Sequence, residues 1–131
     1  MVIPSSCDGA IAPEIDTLWG GCYRTTVGLQ KRKLGLLLST HPDHPNLGTC
    51  LKLSEAALAS GIDLYLYLID DGVRAVDDDR VLTLSRRGAK LFVCAYGCQR
   101  RGLPVTDKAT YCGLVVLTDL LNGCERFVAL N

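Results

Sequence analysis

The sequence predicts an α/β domain, because short apolar runs alternate with segments of helical character along most of its length. Four of these runs have the length of strands, at 34–40, 62–69, 89–96 and 125–130. Strands that alternate with helices pair in parallel through right-handed crossovers, and such a sheet is covered on both faces. We therefore predict a flavodoxin-like parallel sheet of about five strands with helices on both faces.

The beginning of the chain does not share this pattern. Residues 1–32 show neither strand nor helix periodicity and contain Pro4, Pro13 and the stretch WGGC at 19–22. We predict that residues 1–32 form an irregular N-terminal extension and that residues 33–131 form the α/β domain. The first strand, LGLLLST at 34–40, is an uninterrupted apolar run, as expected for a strand buried on both faces.

The first helix and the second strand follow a loop with the sequence HPDHPNLG. Apolar residues recur at helical spacing from Leu47 to Leu58, and Gly61 lies where a helix C-cap is expected. IDLYLYLI at 62–69 is the second predicted strand. It leaves through the turn DDGV at 70–73.

The rest of the chain repeats the alternation. Asp79 is predicted to cap a helix over about 80–87, which Gly88 ends. The sequence then predicts a strand, a loop or short helix, a last helix and a last strand, over 89–96, 99–102, 113–123 and 125–130.

Composition restricts the classes of function. With 131 residues, of which 48% are hydrophobic, the chain suits one domain with a single core. Its formal net charge of zero gives no indication of a nucleic-acid or anionic-membrane partner. No apolar run approaches the roughly 18 residues of a membrane span. The N-terminal stretch MVIPSSCDGA lacks the features of a signal peptide, so we predict a cytoplasmic protein.

The seven cysteines do not have the pattern of a disulfide scaffold or of a metal site. Their number is odd and no secretion signal is visible. No CxxC pair occurs, and Cys94 and Cys98 are separated by three residues. His41 and His44 in HPDHP lie in a proline-rich loop, which is a weak indication of metal binding. We predict that neither histidine holds a structural metal and that the protein needs no cofactor.

The stretch VCAYGCQRRGL, from Val93 to Leu103, ends an apolar run on a thiol and then supplies two arginines. A thiol at the carboxyl end of a strand can face the next helix N-terminus, and nearby arginines favour the nucleophilic thiolate. Equally, Cys94 can be a buried strand residue and the arginines a solvated turn. In open α/β sheets, ligands gather at the carboxyl ends of strands, here the loops 40–48, 70–73 and 94–102.

The order of motifs from Lys33 to Asn131 is similar to that of a known family. A helix ending in ASGID precedes a strand that leaves through DDGV, and a later strand delivers a cysteine followed by RRG. The tail CGLVVLTDLLNGCERFVAL is similar to the pattern SGLGxLxxLxxxADRVVxF of the same family. In these features the chain resembles the DsrE/DsrF/TusD family of sulfur-relay proteins.

The resemblance implies site residues by position. The family carries sulfur on a cysteine seven residues before the arginine of the RG pair, which here is Cys94, with Arg101 and Gly102 as the pair and Arg100 beside them. Cys98 follows four residues after Cys94 and is a second candidate thiol. Cys112 occupies the position of the family's serine before the last helix, and we favour a buried or capping role for it over that of a further thiol.

The resemblance also implies a function and partners. It implies a cytoplasmic sulfur carrier of sulfurtransferase type that holds a persulfide and exchanges sulfur with donor and acceptor proteins, in sulfur oxidation or in tRNA thiolation. It implies a homo-oligomer, a trimer or a hexamer. One alternative is a non-catalytic subunit of such a complex. Another is a nucleotide or flavin site at 40–48, which is disfavoured because this loop offers only Gly48 and Asp43 would repel phosphate.

Overall fold

The computed structural model describes residues 32–131, so the predicted N-terminal extension lies outside the described residues except for Arg32. No helix in this part of the chain is long and apolar enough to cross a membrane. The elements are β1 (Lys33–Leu38), α1 (Asn46–Ala59), β2 (Asp63–Leu68), a 3₁₀ helix (Asp70–Asp77), α2 (Asp79–Arg86), β3 (Lys90–Cys94), α3 (Ala95–Arg100), β4 (Thr110–Cys112), α4 (Leu114–Gly123) and β5 (Arg126–Leu130).

The five described strands form one parallel sheet in the order β4-β3-β2-β1-β5. The chain advances in one direction from β1 to β4 and then returns to place β5 beside β1. Right-handed crossovers put α1 and α2 on one face of such a sheet and α4 on the other. The contacts agree, since α1 packs on β1, β2 and α2 while α4 packs on β1. The predicted flavodoxin-like α/β fold is confirmed.

The core lies on both sides of the central strands. Leu36 and Leu38 of β1 are in register with Leu66 and Leu68 of β2, and Val93 of β3 lies beside Leu68. All five side chains are completely or almost completely buried. Burial of one such side chain contributes about 1.5–3 kcal/mol, so these continuous apolar runs drive the sheet together.

The opposite face of the sheet is less completely covered. Alternation along the strands places Tyr65, Tyr67 and Phe92 on this side, where Tyr67 is completely buried and the other two rings are half-buried. Helix α4 lies over this face, yet Leu114 and Val115 near its start are exposed. This face and α4 therefore retain apolar surface in contact with solvent.

Several predicted boundaries need correction. β3 ends at Cys94 rather than at residue 96, because Ala95 and Tyr96 already belong to α3. The short helix expected at 99–102 accordingly starts four residues earlier. The sequence did not predict β4, which is only three residues long.

The predicted cap of α2 was also placed one residue too late. Asp78 is the N-cap, and its Oδ1 accepts a hydrogen bond from the backbone N–H of Arg80 at 2.9 Å. The Arg80 guanidinium also pairs with this carboxylate, which holds the pKa of Asp78 below its usual range. Asp79 instead begins the helix, so Asp78 performs the role predicted for Asp79.

The turn expected at 70–73 is longer than predicted, because the 3₁₀ helix continues to Asp77. Gly72 in this helix packs directly against the end of β1. A Cβ at Gly72 would overlap the carbonyl oxygen of Leu38 and lie 2.8 Å from its carbonyl carbon. Only glycine therefore lets this segment close over the carboxyl edge of the sheet.

Candidate functional site

Cys94 lies at the junction of β3 and α3, where it is both the last strand residue and the N-cap of the helix. Its Sγ accepts a hydrogen bond from the backbone N–H of Gly97 at 3.4 Å. Serine, threonine, aspartate and asparagine usually perform this capping role. A thiol in that position brings sulfur against backbone donors of the kind that stabilise anions.

Gly97 permits this arrangement because it has no side chain in a position where the neighbouring residues leave little space. A Cβ on Gly97 would lie 3.1 Å from Cγ1 of Val73 and 3.6 Å from Cβ of Cys94. The 3₁₀ helix that carries Val73 can therefore pack closely on the first turn of α3. The strand end, the helix start and the 3₁₀ helix together fix the position of the Cys94 sulfur.

Cys94 lines a cavity of about 690 Å³ at the carboxyl edge of the sheet, although only 4% of the residue is exposed. A reactant therefore reaches this thiol by entering the cavity. The wall combines the 3₁₀ helix, the start and end of α3 and the start of α4. Its residues are Ile69, Asp70, Asp71, Arg74, Cys94, Tyr96, Gly97, Arg100, Arg101, Gly113 and Leu114.

Both predicted arginines line this cavity, and each has a partner in the protein. Arg101 donates from Nε to Oδ1 of Asp71 at 3.0 Å and from Nη1 to the carbonyl oxygen of Gly97 at 3.2 Å. Arg100 donates to the hydroxyl of Tyr96 at 3.2 Å, with its guanidinium 5.8 Å from the centre of that ring. Arg101 thus ties the 3₁₀ helix to α3, while Arg100 lies near the exposed rim.

Gly102 has a structural explanation. Its φ of +67° is in the left-handed region, and its N–H donates to the carbonyl of Gln99 at 3.2 Å. The N–H of Leu103 donates to the carbonyl of Cys98 at 2.9 Å. This is a Schellman motif, which glycine favours at the position just after a helix end. Gly102 therefore ends α3 and does not line the cavity.

Cys98 lies inside α3, the short helix that follows β3. It is 1% exposed and is absent from the cavity wall. Burial raises the pKa of the Cys98 thiol, and the neighbouring charge of Cys94 raises it further, while Arg101 acts in the opposite direction. The structure brings Cys98 near Cys94 but gives it little access.

Cys112 ends β4 and is the register partner of Cys94 in the adjacent strand. It is half-buried, and its Sγ lies 3.8 Å from the carbonyl oxygen of Val93, to which it donates. Burial raises the pKa of the Cys112 thiol, and the neighbouring Tyr67 hydroxyl partly offsets this effect. The expectation of a buried or capping role for Cys112 stays a prediction.

Tyr67 was missed at the sequence level. Its ring is completely buried, and its hydroxyl donates to the carbonyl oxygen of Gly113 at 3.1 Å. Burial raises the pKa of Tyr67, and the neighbouring sulfurs of Cys112 and Cys94 raise it further. The hydroxyl is thus within electrostatic reach of both thiols. The sequence signal that could have found it is a tyrosine within an apolar strand, because a buried tyrosine hydroxyl needs a hydrogen-bond partner.

The model of the DsrE/DsrF-like family matches residues 32–130. The chain belongs to this family. Its fold is similar to that of the ychN protein from E. coli, with a TM-score of 0.64 and 18% identity over 77% of this chain and 100% of that one. It is also similar to BT1422 from Bacteroides thetaiotaomicron, a conserved protein of unknown function, with a TM-score of 0.65 and 17% identity over 75% and 94% of the two chains. No curated protein matches the sequence.

The two histidines of this DsrE/DsrF-like domain organise the loop after β1. Nδ1 of His41 accepts a hydrogen bond from the N–H of Asp43 at 3.2 Å, and Nδ1 of His44 accepts one from Asn46 at 3.1 Å. The second bond satisfies an N–H at the start of α1. Within residues 32–131, no group of three or more histidine, cysteine, aspartate or glutamate residues is placed to hold a metal ion.

Proposed function

We propose that this DsrE/DsrF-like protein is a sulfur carrier of sulfurtransferase type and that Cys94 is its sulfur-accepting thiol. The observation that carries the proposal is the position of the Cys94 sulfur, which accepts the Gly97 N–H and lines a cavity at the carboxyl edge of the sheet. Family membership supports a role in sulfur relay with donor and acceptor proteins as partners. A cytoplasmic location is part of the same proposal.

The reaction is an exchange between a thiol and a persulfide. The Cys94 thiolate attacks the outer sulfur of a donor persulfide, a new sulfur–sulfur bond forms, and the donor cysteine leaves as a thiolate. Cys94 then carries the sulfane sulfur as a persulfide. An acceptor cysteine repeats the same attack and takes the sulfur away. No electrons enter or leave the pair of proteins, so the exchange uses no metal or organic cofactor.

The cavity suits such a reactant in size and charge. About 690 Å³ is within the range of small-ligand pockets, and it accommodates a cysteine that a partner inserts. Three arginines and two aspartates contribute to the wall, which leaves an excess of positive charge for an anionic persulfide. The charged residues of the wall are Arg74, Arg100, Arg101, Asp70 and Asp71.

A role as a non-catalytic subunit is the second candidate, and one observation favours it. Helix α4 exposes 58% of Leu114, 76% of Val115 and 50% of Leu121, and such apolar surface is typical of subunit contacts. We propose that α4 contributes to a homo-oligomer, a trimer or a hexamer. Assembly and sulfur transfer are compatible, so the thiol itself must distinguish the two functions.

Intact-protein mass spectrometry after incubation with polysulfide tests the carrier function. The unmodified protein should gain whole sulfur atoms, Cys94→Ser should gain none at this site, and peptide mapping should place the sulfur on Cys94. Cys50→Ser is the matched control, because Cys50 is buried in α1 and burial raises the pKa of its thiol to about 11. Normal loading of Cys94→Ser would refute the assignment, and a protein that takes up no sulfur would favour the subunit role.

A further inference from the structure

Two strand ends place two thiols side by side at this site. Cys94 and Cys112 are register partners in the parallel pair β3–β4, so their side chains leave the sheet on the same face. Neighbouring strands are about 4.8 Å apart. Disulfide-bonded cysteines have Cα atoms about 4.4–6.8 Å apart, so the backbone spacing of this pair meets the requirement for a bond.

A third group lies against the pair. The hydroxyl of Tyr67 donates to the carbonyl of Gly113, the residue directly after Cys112, and Tyr67 is completely buried within electrostatic reach of both sulfurs. This hydrogen bond fixes the junction of β4 and α4, and it holds Cys112 beside Cys94. Tyr67 is therefore a positioning residue for the pair.

We propose that Cys112 is the resolving thiol of the sulfur carrier, which forms a disulfide with Cys94 and releases the bound sulfur as sulfide. The inference rests on the proposed function, because it starts from the Cys94 persulfide. The Cys112 thiolate attacks Sγ of Cys94, the bond between that Sγ and the sulfane sulfur breaks, and hydrosulfide leaves with the electron pair. The sulfane sulfur is reduced to sulfide while the two cysteines are oxidised to a disulfide, so the step needs no further oxidant.

Cys98 is the alternative partner, and the geometry disfavours it. Cys98 follows Cys94 by four residues within α3, and a bond between them would distort the only turns of a six-residue helix. Cys98 is also almost completely buried. Cys112 is half-buried on a strand of three residues at the edge of the described sheet, where nothing pairs with its outer side.

The resolving step gives the carrier a limited time to deliver its sulfur. An acceptor thiol that enters the cavity competes with Cys112 for the same persulfide. When no acceptor arrives, sulfur leaves as sulfide and the Cys94–Cys112 disulfide blocks further loading. A dithiol reductant restores the two thiols and opens the site again.

The first experiment follows sulfide. Protein loaded with polysulfide is freed of reagent and then incubated without an acceptor, while released sulfide is measured and peptides are mapped. The unmodified protein should release sulfide and yield a peptide pair joined through Cys94 and Cys112. Cys112→Ser should keep its persulfide and release none, whereas Cys98→Ser should behave as the unmodified protein. Release that persists in Cys112→Ser, or that is lost in Cys98→Ser, overturns the proposal.

The second experiment separates this inference from the carrier function. Diamide, a thiol oxidant, is added to reduced protein with no sulfur donor present, and the linked peptides are mapped. A Cys94–Cys112 link supports the pairing whether or not polysulfide loads the protein. A Cys94–Cys98 link, or no link at Cys94, overturns the pairing. A protein that forms the Cys94–Cys112 link but never loads sulfur refutes the carrier function, and the resolving role is refuted with it.

Discussion

Replacing Tyr67 by phenylalanine removes one hydroxyl and keeps the buried ring. The lost hydrogen bond, from this hydroxyl to the carbonyl of Gly113 at 3.1 Å, is partly buried. A neutral hydrogen bond contributes a net 1 kcal/mol, roughly. Because Gly113 is exposed, its carbonyl can bind water in the variant, so we expect a loss of about 1 kcal/mol and no more. For a domain near 100 residues this lowers Tm by about 4–8 °C.

The same hydroxyl also acts on the thiol of Cys112. Burial raises the pKa of Cys112, and the neighbouring Tyr67 hydroxyl partly offsets the rise. In Tyr67→Phe the offset is gone, so the pKa of Cys112 rises further and less thiolate is present at neutral pH. Iodoacetamide should therefore alkylate Cys112 more slowly in Tyr67→Phe than in the unmodified protein at neutral pH. The pH profile of the Cys112 alkylation rate should move to higher pH.

Tyr65→Phe is the matched control. Tyr65 lies two residues earlier on the same strand and faces the same side. Its ring stacks on that of Phe92, with the ring centres 6.4 Å apart. Its hydroxyl makes no hydrogen bond within residues 32–131. Thermal unfolding and peptide-resolved alkylation should therefore leave Tyr65→Phe close to the unmodified protein. Equal Tm values and equal Cys112 alkylation rates in the two variants would refute the role assigned to Tyr67.

Three further predictions concern stability and assembly. Gly72→Ala should lower the free energy of unfolding in urea by about 3 kcal/mol, because its Cβ would overlap the backbone of Leu38; an unchanged midpoint would contradict the close packing. Asp78→Ala should cost about 1 kcal/mol through the lost helix cap, and Asp79→Ala should cost clearly less; the reverse order would show that the cap is misassigned. Val115→Glu should reduce the mass measured by light scattering if α4 joins subunits, and an unchanged mass would place the interface elsewhere.

The strands could be predicted where the sequence carries an apolar run. After their first residues, Lys33 and Asp63, β1 and β2 are apolar at every position because the sheet has helices on both faces, and this pattern needs no partner strand to be recognised. β4 could not be predicted, because its three residues, Thr110 to Cys112, are exposed or half-buried and carry no apolar run. The end of β3 was also hidden, since Ala95 and Tyr96 continue the apolar run into a helix.

Only the part of the candidate site that lies within one short segment of sequence could be predicted. Cys94 and Arg101 share one short segment, so a motif can bring them together. Cys112 reaches Cys94 through the register of β4, which no nearby residue specifies. Tyr67 alternates with Tyr65 in a strand pattern, and nothing in that alternation shows which hydroxyl meets a polar group. The functional roles of these side chains remain predictions.

The capping role of Cys94 makes the first turn of α3 a reporter of the chemistry on its sulfur. The Gly97 amide donates directly to Sγ, and any atom bonded to that sulfur changes the charge and direction of the acceptor. The ¹⁵N and ¹H chemical shifts of this single amide should therefore differ among the free thiol, the persulfide and the disulfide. A backbone resonance, read in the intact protein without labels on sulfur, would give the occupancy of the carrier during turnover.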